Sequence, residues 1–325
     1  MPQLRPLPLL LALVLATLAS AWLNLNTGSA HIAVLEALQR VDSLDHQILL
    51  ELRLPRMSTA FITGALLGIA GALMQVLLRN PLADPYILGV SGGASVAALL
   101  AIMAGASGMM LSGSAFAGAL LSTLLVFTLA HGRGHWDSTR LLLTGVVLAA
   151  GWGAVISLLL AISPGTQLHG MLFWLMGDLG FSRTPWVGSL VLLFLLPVAL
   201  VISPSLNLLA RGELPAASLG VSVGRLRTTI YVLASLATAS AVTQAGNIGF
   251  VGLIAPHMLR LLGARDHRLL IPGVALLGGT LLLLADAISR LIIEPRQLPV
   301  GVLTALLGVP LFLLLLFRSR QLNNE

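Results

Sequence analysis

The 325-residue chain contains no cysteine and no lysine; all 18 of its basic residues are arginine. Lack of cysteine excludes a disulfide framework, a thiolate metal site and a cysteine nucleophile. Lack of lysine excludes a Walker phosphate loop, which needs a lysine on the nucleotide phosphates. Any ATP-driven work therefore falls to another chain. Charge of either sign is scarce at 9%, against 57% hydrophobic residues and a mean hydropathy of +0.97. Such a composition does not make a soluble domain. A net charge of +6 in a soluble protein would point to nucleic acid. Here the arginines fall in short gaps between apolar runs, where the positive-inside rule accounts for them, and no nucleic-acid partner is implied.

The apolar runs are long enough to cross a bilayer as helices of about 20 residues. Ten are predicted, near 7–23, 57–78, 87–104, 109–130, 141–162, 187–204, 228–245, 250–262, 271–293 and 300–317. The expected fold is an all-α polytopic membrane bundle, one transmembrane domain over 1–325. The eighth run is short and Gly-interrupted, the pattern of a partly inserted helix lining a cavity. The first run ends in Ala19-Ser20-Ala21, which resembles a signal-peptide cleavage site. A retained first helix is the better reading, because signal peptides seldom precede a chain that stays hydrophobic throughout. Ten spans place both termini on one side. That side holds twelve arginines (Arg5, Arg79, Arg133, Arg140, Arg211, Arg225, Arg227, Arg260, Arg265, Arg268, Arg318, Arg320) and the opposite side six (Arg40, Arg53, Arg56, Arg183, Arg290, Arg296), which makes the termini cytoplasmic.

Polar motifs interrupt this frame. Asn80-Pro81-Leu82-Ala83-Asp84-Pro85 and Gly249-Phe250-Val251-Gly252-Leu253-Ile254-Ala255-Pro256-His257 are the clearest. Polar turns are costly in hydrocarbon, so they belong at a membrane boundary or along a protein-walled path. The outer segments run over about 24–56 and 163–186, and the second contains an apolar stretch, 170–177, with the character of a short interfacial helix. The longest inner loop, 205–227, reads as two short helical pieces separated by Gly and Pro, a shape suited to docking another protein. Gly64, Gly68 and Gly71, and again Gly145, Gly151 and Gly153, have the spacing that lets helices approach closely in lipid.

Asp286 is the one acidic residue well inside a span. It is a candidate proton carrier, but Arg290, four residues on, shares its helix face and makes a structural pair the stronger reading. The seven histidines are scattered without metal-ligand spacing, and no Ser/His/Asp set suggests an enzyme. Arg53 and Arg56 in Leu52-Arg53-Leu54-Pro55-Arg56 fit interfacial anchoring and a charged contact for an outer partner equally well.

Taken in order, the motifs resemble one family. These are Arg53-Leu54-Pro55-Arg56, Asn80 to Pro85 with Leu88-Gly89-Val90, Trp174-Leu175-Met176-Gly177, Leu219-Gly220-Val221, Gly249 to His257, Asp266-His267-Arg268, Leu298-Pro299-Val300-Gly301 and Thr304 to Pro310. The chain resembles the FecCD-type permease subunits of bacterial ATP-binding-cassette importers for ferric siderophores, haem and vitamin B12. The resemblance implies a type II importer permease in the bacterial inner membrane. It would work as a homodimer with two cytoplasmic ATPase subunits and a periplasmic substrate-binding protein. Arg53, Arg56 and Arg290 would dock the binding protein. Asn80, Leu82, Ser138 and Thr139 would form a cytoplasmic gate, and 166–180 would close the outer side. Arg211, Gly212, Glu213, Ala217, Ser218, Leu219 and Gly220 would couple to the ATPases. No cofactor is implied in this chain, and ATP would sit on the partner subunits. The motifs do not choose among cargoes, although family frequency favours an iron chelate. An ion-coupled secondary transporter is the alternative, poorly served by a single buried acid; a scaffold without transport has no use for gate motifs.

Overall fold

A computed structural model describes residues 6–28, 32–40, 42–130, 138–181, 185–293 and 296–323, with the side chains of Leu88, Ser138 and 315–323 left aside. Arg5, Arg133, Arg183 and Glu294, and the side chains of Ser138, Arg318 and Arg320, thus lie outside the described residues.

Those residues are helical and carry no strand. In chain order the helices are α1 (Pro6–Asn26), α2 (Val34–Gln39), α3 (Leu44–Gln47), α4 (Leu54–Leu77), α5 (Val90–Met103), α6 (Gly108–Ala130), α7 (Ser138–Ile162), α8 (Gly165–Met176), α9 (Trp186–Ala210), α10 (Glu213–Ser218), α11 (Val223–Ala245), α12 (Val251–Leu261), α13 (His267–Leu291) and α14 (Val300–Asn323). A π-helical stretch, Ile48–Arg53, leads into α4 without a break. Ten of these helices match the ten predicted spans. Six segments are long and apolar enough to cross a membrane on their own: α1, the run ending in α4, α6, α7, α9 and α13. The other four depend on their neighbours.

α4 is the axis of the bundle, with α13, α11 and α12 packed along it. From Thr59 to Leu77 every residue except Phe61 is buried. Small residues make that possible. A Cβ on Gly64 would lie 2.2 Å from the Gly278 carbonyl oxygen, and one on Gly71 would lie 1.8 Å from that of Gly252. The first glycine trio therefore seats α4 on α13 and α12 by backbone contact. The second trio does so only in part: Gly145 is buried, but a Cβ on Gly151 or Gly153 would meet open space, because that face of α7 points away from the chain. Glycine spacing marks a potential contact face but does not say whether a partner helix occupies it.

Three of the four dependent helices, α5, α11 and α12, explain themselves physically. α11 carries Thr228, Thr229, Ser235, Thr238, Ser240, Thr243 and Gln244, too polar for lipid, and is largely buried in protein. At about 1.5 Å per residue α5 and α12 are only about 21 and 16 Å long, short of the roughly 30 Å hydrocarbon thickness. Non-helical backbone completes both. The loop Asn80–Gly89 before α5 and the loop Gly246–Phe250 before α12 meet inside the bundle, where the Ile248 N–H donates to the Tyr86 hydroxyl at 3.2 Å. Irregular backbone inside a membrane protein persists only where protein or a cavity shields it.

Two segments differ from expectation. The stretch 170–177 is indeed helical as part of α8, but Met171 and Trp174 are turned into the bundle, so it packs on protein instead of lying on the lipid surface. In 205–227, α9 continues through Pro204 to Ala210, so Leu208–Ala210 belongs to α9 and only α10 is a separate short helix. The loop is correspondingly tighter. Proline at 204 is tolerated because a helix can lose one hydrogen bond and continue when tertiary contacts hold it.

Candidate functional site

Three features stand out: a polar cluster at each end of the bundle and a cavity between them. At the end where α1 and α13 finish and α4 begins, Asp286 is completely buried. Its carboxylate accepts from Arg56 Nε at 2.9 Å and pairs with Arg290 Nη2 at 2.9 Å. Asn24 Nδ2, on α1, donates to the second carboxylate oxygen at 3.0 Å and to the Leu283 carbonyl at 2.9 Å. The predicted Asp286–Arg290 pair is therefore present, within a larger network. Arg290 also donates to the carbonyls of Thr27 at 2.6 Å and Asn24 at 3.0 Å, and Arg53 donates to that of Leu25 at 2.6 Å. Two guanidiniums thus cap the C-terminus of α1, where carbonyls lack helical partners and the helix dipole favours cations. Ala19-Ser20-Ala21 lies well inside α1, which is bound into the bundle through this cap and through a 2.8 Å Thr17–Thr280 hydroxyl bond.

The three arginines singled out in the sequence are brought together, but not equally. Arg53 and Arg290 are each 6% exposed, whereas the Arg56 side chain is 16% exposed and also reaches Gln297 Oε1 at 2.7 Å. The pairing of Arg56 with Asp286 spans 230 residues and left no trace in sequence spacing. Asn24, a polar residue near the end of an apolar run, was the available signal for α1's role.

At the opposite end α4 finishes, α9 gives way to α10, and α11 and α13 begin. Glu213, in the first turn of α10, makes an ion pair with Arg227 of α11 and another, at 3.7 Å, with Arg79 just past the end of α4. Asn207, near the end of α9, donates to Asp266 Oδ1 at 2.7 Å and accepts from the His267 N–H at 2.9 Å. Asp266 in turn caps α13 by accepting from the Arg268 N–H at 2.9 Å. That N–H and Asn207 hold the Asp266 carboxyl below its ordinary value. Arg211, Leu214, Ala217, Ser218, Leu219 and Gly220 are exposed, Leu214 at 85% and Leu219 at 67%. Asn80 opens the neighbouring loop and accepts from the Leu82 N–H at 2.9 Å, leaving Leu82 exposed. Thr139 sits exposed in the first turn of α7. None of the links through Glu213 or Asn207 was anticipated, since each joins residues remote in sequence.

Between the ends lies a cavity of about 570 Å³, open to the outside of the chain. Asp84 and Tyr86 of the first irregular loop line it, with Asn247 and Phe250 of the second, Met176 at the end of α8 and Gly301 of α14. The short, Gly-interrupted α12 does line a cavity, as its pattern suggested. Asp84 is the one charged residue among the described residues of that wall. Among the described residues, the non-glycine positions with left-handed backbone are Arg79 (φ 48°) and Phe250 (φ 69°). Each stands at an edge of one of the two loops.

Ten spanning helices, with an open cavity walled in part by broken backbone and polar clusters at both ends, define a multi-pass membrane transport permease. The chain belongs to the FecCD transport family, whose model matches residues 9–318. It is 40% identical over 325 residues to the vitamin B12 import system permease protein BtuC of Salmonella paratyphi A, covering 98% of both chains. The corresponding protein of Salmonella typhimurium is equally similar, again at 98% of each. Among solved structures, a metal-chelate type ABC transporter in an inward-facing conformation aligns with a TM-score of 0.85 and 32% identity, over 96% of this chain and 99% of that one. PsaBC from Streptococcus pneumoniae, solved with a Fab, aligns at 0.57 and 17% identity over 87% and 95%, and shares the fold alone. The chain is a transmembrane permease subunit of an ATP-binding-cassette importer, with type II importer architecture.

Proposed function

We propose that this permease moves a corrinoid of the vitamin B12 type across the bacterial inner membrane, as one transmembrane domain over 1–325. The observation that carries the cargo is the end-to-end 40% identity with vitamin B12 permeases. It moves the choice away from the iron chelate favoured by family frequency. The cavity wall agrees. A wall of aliphatic, aromatic and amide groups with one carboxylate, and among the described residues no cation to hold an anionic chelate, suits a bulky, near-neutral cargo that must pass without sticking.

Two copies would enclose the path, each supplying one cavity wall. Two cytoplasmic ATPases would dock on α10, whose exposed Leu214 and Leu219 are apolar anchors of the kind that fill a partner's pocket. Arg211, Gly212, Glu213, Ala217, Ser218, Leu219 and Gly220 make up that segment. The twelve arginines expected on its side support termini in the cytoplasm. ATP stays on the partner subunits, and this chain carries no cofactor of its own. A periplasmic binding protein would deliver cargo to the Asp286 end. There Arg56, shared between Asp286 and Gln297, makes the direct contact with a partner carboxylate, and Arg53 and Arg290 hold the surface that presents it. Asn80, Leu82, Ser138 and Thr139 gate the cytoplasmic side, and 166–180 the other.

The mechanism follows from these positions. ATP binding draws the two ATPases together and displaces α10. The displacement reaches α9, α11 and α4, tilts them, and opens the cavity to one side as it closes to the other. Binding energy of ATP is needed because the cargo is accumulated from scarce external supply. The test is uptake of labelled cobalamin, haem and ferric siderophores by matched cells with and without this gene. Cobalamin uptake should vanish without the gene and return with the intact gene, but not with an Arg53→Glu/Arg56→Glu variant. Loss of siderophore or haem uptake in place of cobalamin would overturn the cargo assignment.

A further inference from the structure

The backbone at Arg79 is hard to explain by stability. Arg79 follows the last turn of α4 and lies in the left-handed region at φ 48°, with its N–H donating to the Val76 carbonyl and the Asn80 N–H to that of Gln75. This is the usual helix-ending turn in which glycine is preferred, because any Cβ is disfavoured there. What arginine brings in exchange is a 3.7 Å ion pair with Glu213 between side chains 53% and 43% exposed. Pairs that open to solvent add little to stability. A glycine would therefore serve the turn better, and the guanidinium has to be accounted for by something other than folding.

Its location supplies the account. Glu213 lies in the first turn of α10 and is held on its other side by Arg227 at the start of α11. Arg79 is covalently next to Asn80, the first residue of the loop that carries Asp84 and Tyr86 into the cavity wall. That loop is joined in turn to the second irregular loop through Tyr86 and Ile248. One carboxylate on the exposed helix thus grips the root of the loop that shapes the path.

We propose that Arg79 is a positioning residue for transport: through Glu213 it converts displacement of α10 into movement of the Asn80–Gly89 loop. This rests on the reading of α10 as the helix on which the ATPases dock. The pair's exposure is what the role requires. An exposed, single-contact ion pair can lengthen or re-form during a cycle, whereas a buried one would resist. A strained backbone at the same residue adds a turn with an accessible alternative conformation.

The test uses the complete importer, permease with its ATPase and binding protein, reconstituted in liposomes with labelled cobalamin. Arg79→Gly removes the guanidinium and relieves the turn; Arg79→Lys keeps a cation. The glycine variant should melt at or above the wild-type temperature, retain its ATPase on purification and hydrolyse ATP, yet move about five- to tenfold less cargo per ATP. The lysine variant should recover more than half of that ratio. Wild-type cargo per ATP in Arg79→Gly would overturn the inference. So would a fall in melting temperature that accompanies the loss, which would make Arg79 structural, or a lysine variant as defective as glycine. Failure of the docking reading looks different. In that case the wild-type ATPase would co-purify equally well with a permease carrying Leu214→Asp and Leu219→Asp, and the inference would fall with it.

Discussion

The two polar ends of this molecule use the same residue types in opposite ways. At one end Asp286 is 0% exposed and gathers Arg56, Arg290 and Asn24 around it, while Arg53 and Arg290 cap α1. At the other, Glu213 stands 43% exposed with Arg79 and Arg227. Burial decides what each cluster can be. Charges withdrawn from water must stay paired, because separating them in low dielectric costs several kcal/mol. The Asp286 cluster is therefore a fixed joint that fastens α1, α4 and α13. Glu213 is held from one side by the buried Arg227, but its pair with Arg79 remains in water, where ion pairs are worth about 0–1 kcal/mol and can be exchanged. The proposed docking of ATPases on α10 would make use of that asymmetry.

The comparison can be broken most directly at Asp286. Asp286→Ala leaves two arginines facing a void without a carboxylate and should cost about 3–5 kcal/mol. Thermal unfolding in detergent would read this as a large drop in melting temperature. A variant that melts like wild type would mean the joint is not one. Asn24→Ala, which removes one donor from the carboxylate and one from the Leu283 carbonyl, should cost about 1–3 kcal/mol by the same measurement.

At the Glu213 end the effects should shrink. Asp266→Ala removes the cap of α13 and its tie to Asn207, for about 1 kcal/mol. Its pH dependence has a definite sign. The folded pKa lies below the usual 3.8, so the cap's contribution is complete above that value and is lost as pH falls through the folded pKa. Acid titration of unfolding in wild type and Asp266→Asn should diverge above pH 4 and converge below it. Smallest of all in stability is Arg79→Gln, where the arginine side chain is 53% exposed, expected within about 1 kcal/mol of wild type, while its transport per ATP falls. A large melting shift in this variant would erase the contrast between the ends.

How much was legible in advance follows a physical divide. The helices were readable because a bilayer imposes length and apolarity on each span locally, and α6, α7, α9 and α13 are self-sufficient in both. The glycines of α4 were readable as a packing face, yet Gly151 and Gly153 of α7, singled out on the same grounds, would carry a Cβ into open space. The Asp286–Arg290 pair was readable because four residues on a helix share a face. Its neighbour Arg56 was not, since two helices must first be brought side by side.

By itself the sequence determined a helical membrane chain that lacks the lysine a Walker loop needs. It also carried motifs that name the family, because composition and short-range pattern act before any helix meets another. Tertiary structure alone decided which arginines are buried joints and which stay in water, and that two short helices are completed by loops meeting at Tyr86 and Ile248. It also decided that one glutamate on α10 reaches the end of α4. Each of those depends on distances across the bundle, and such distances exist only once the helices have packed.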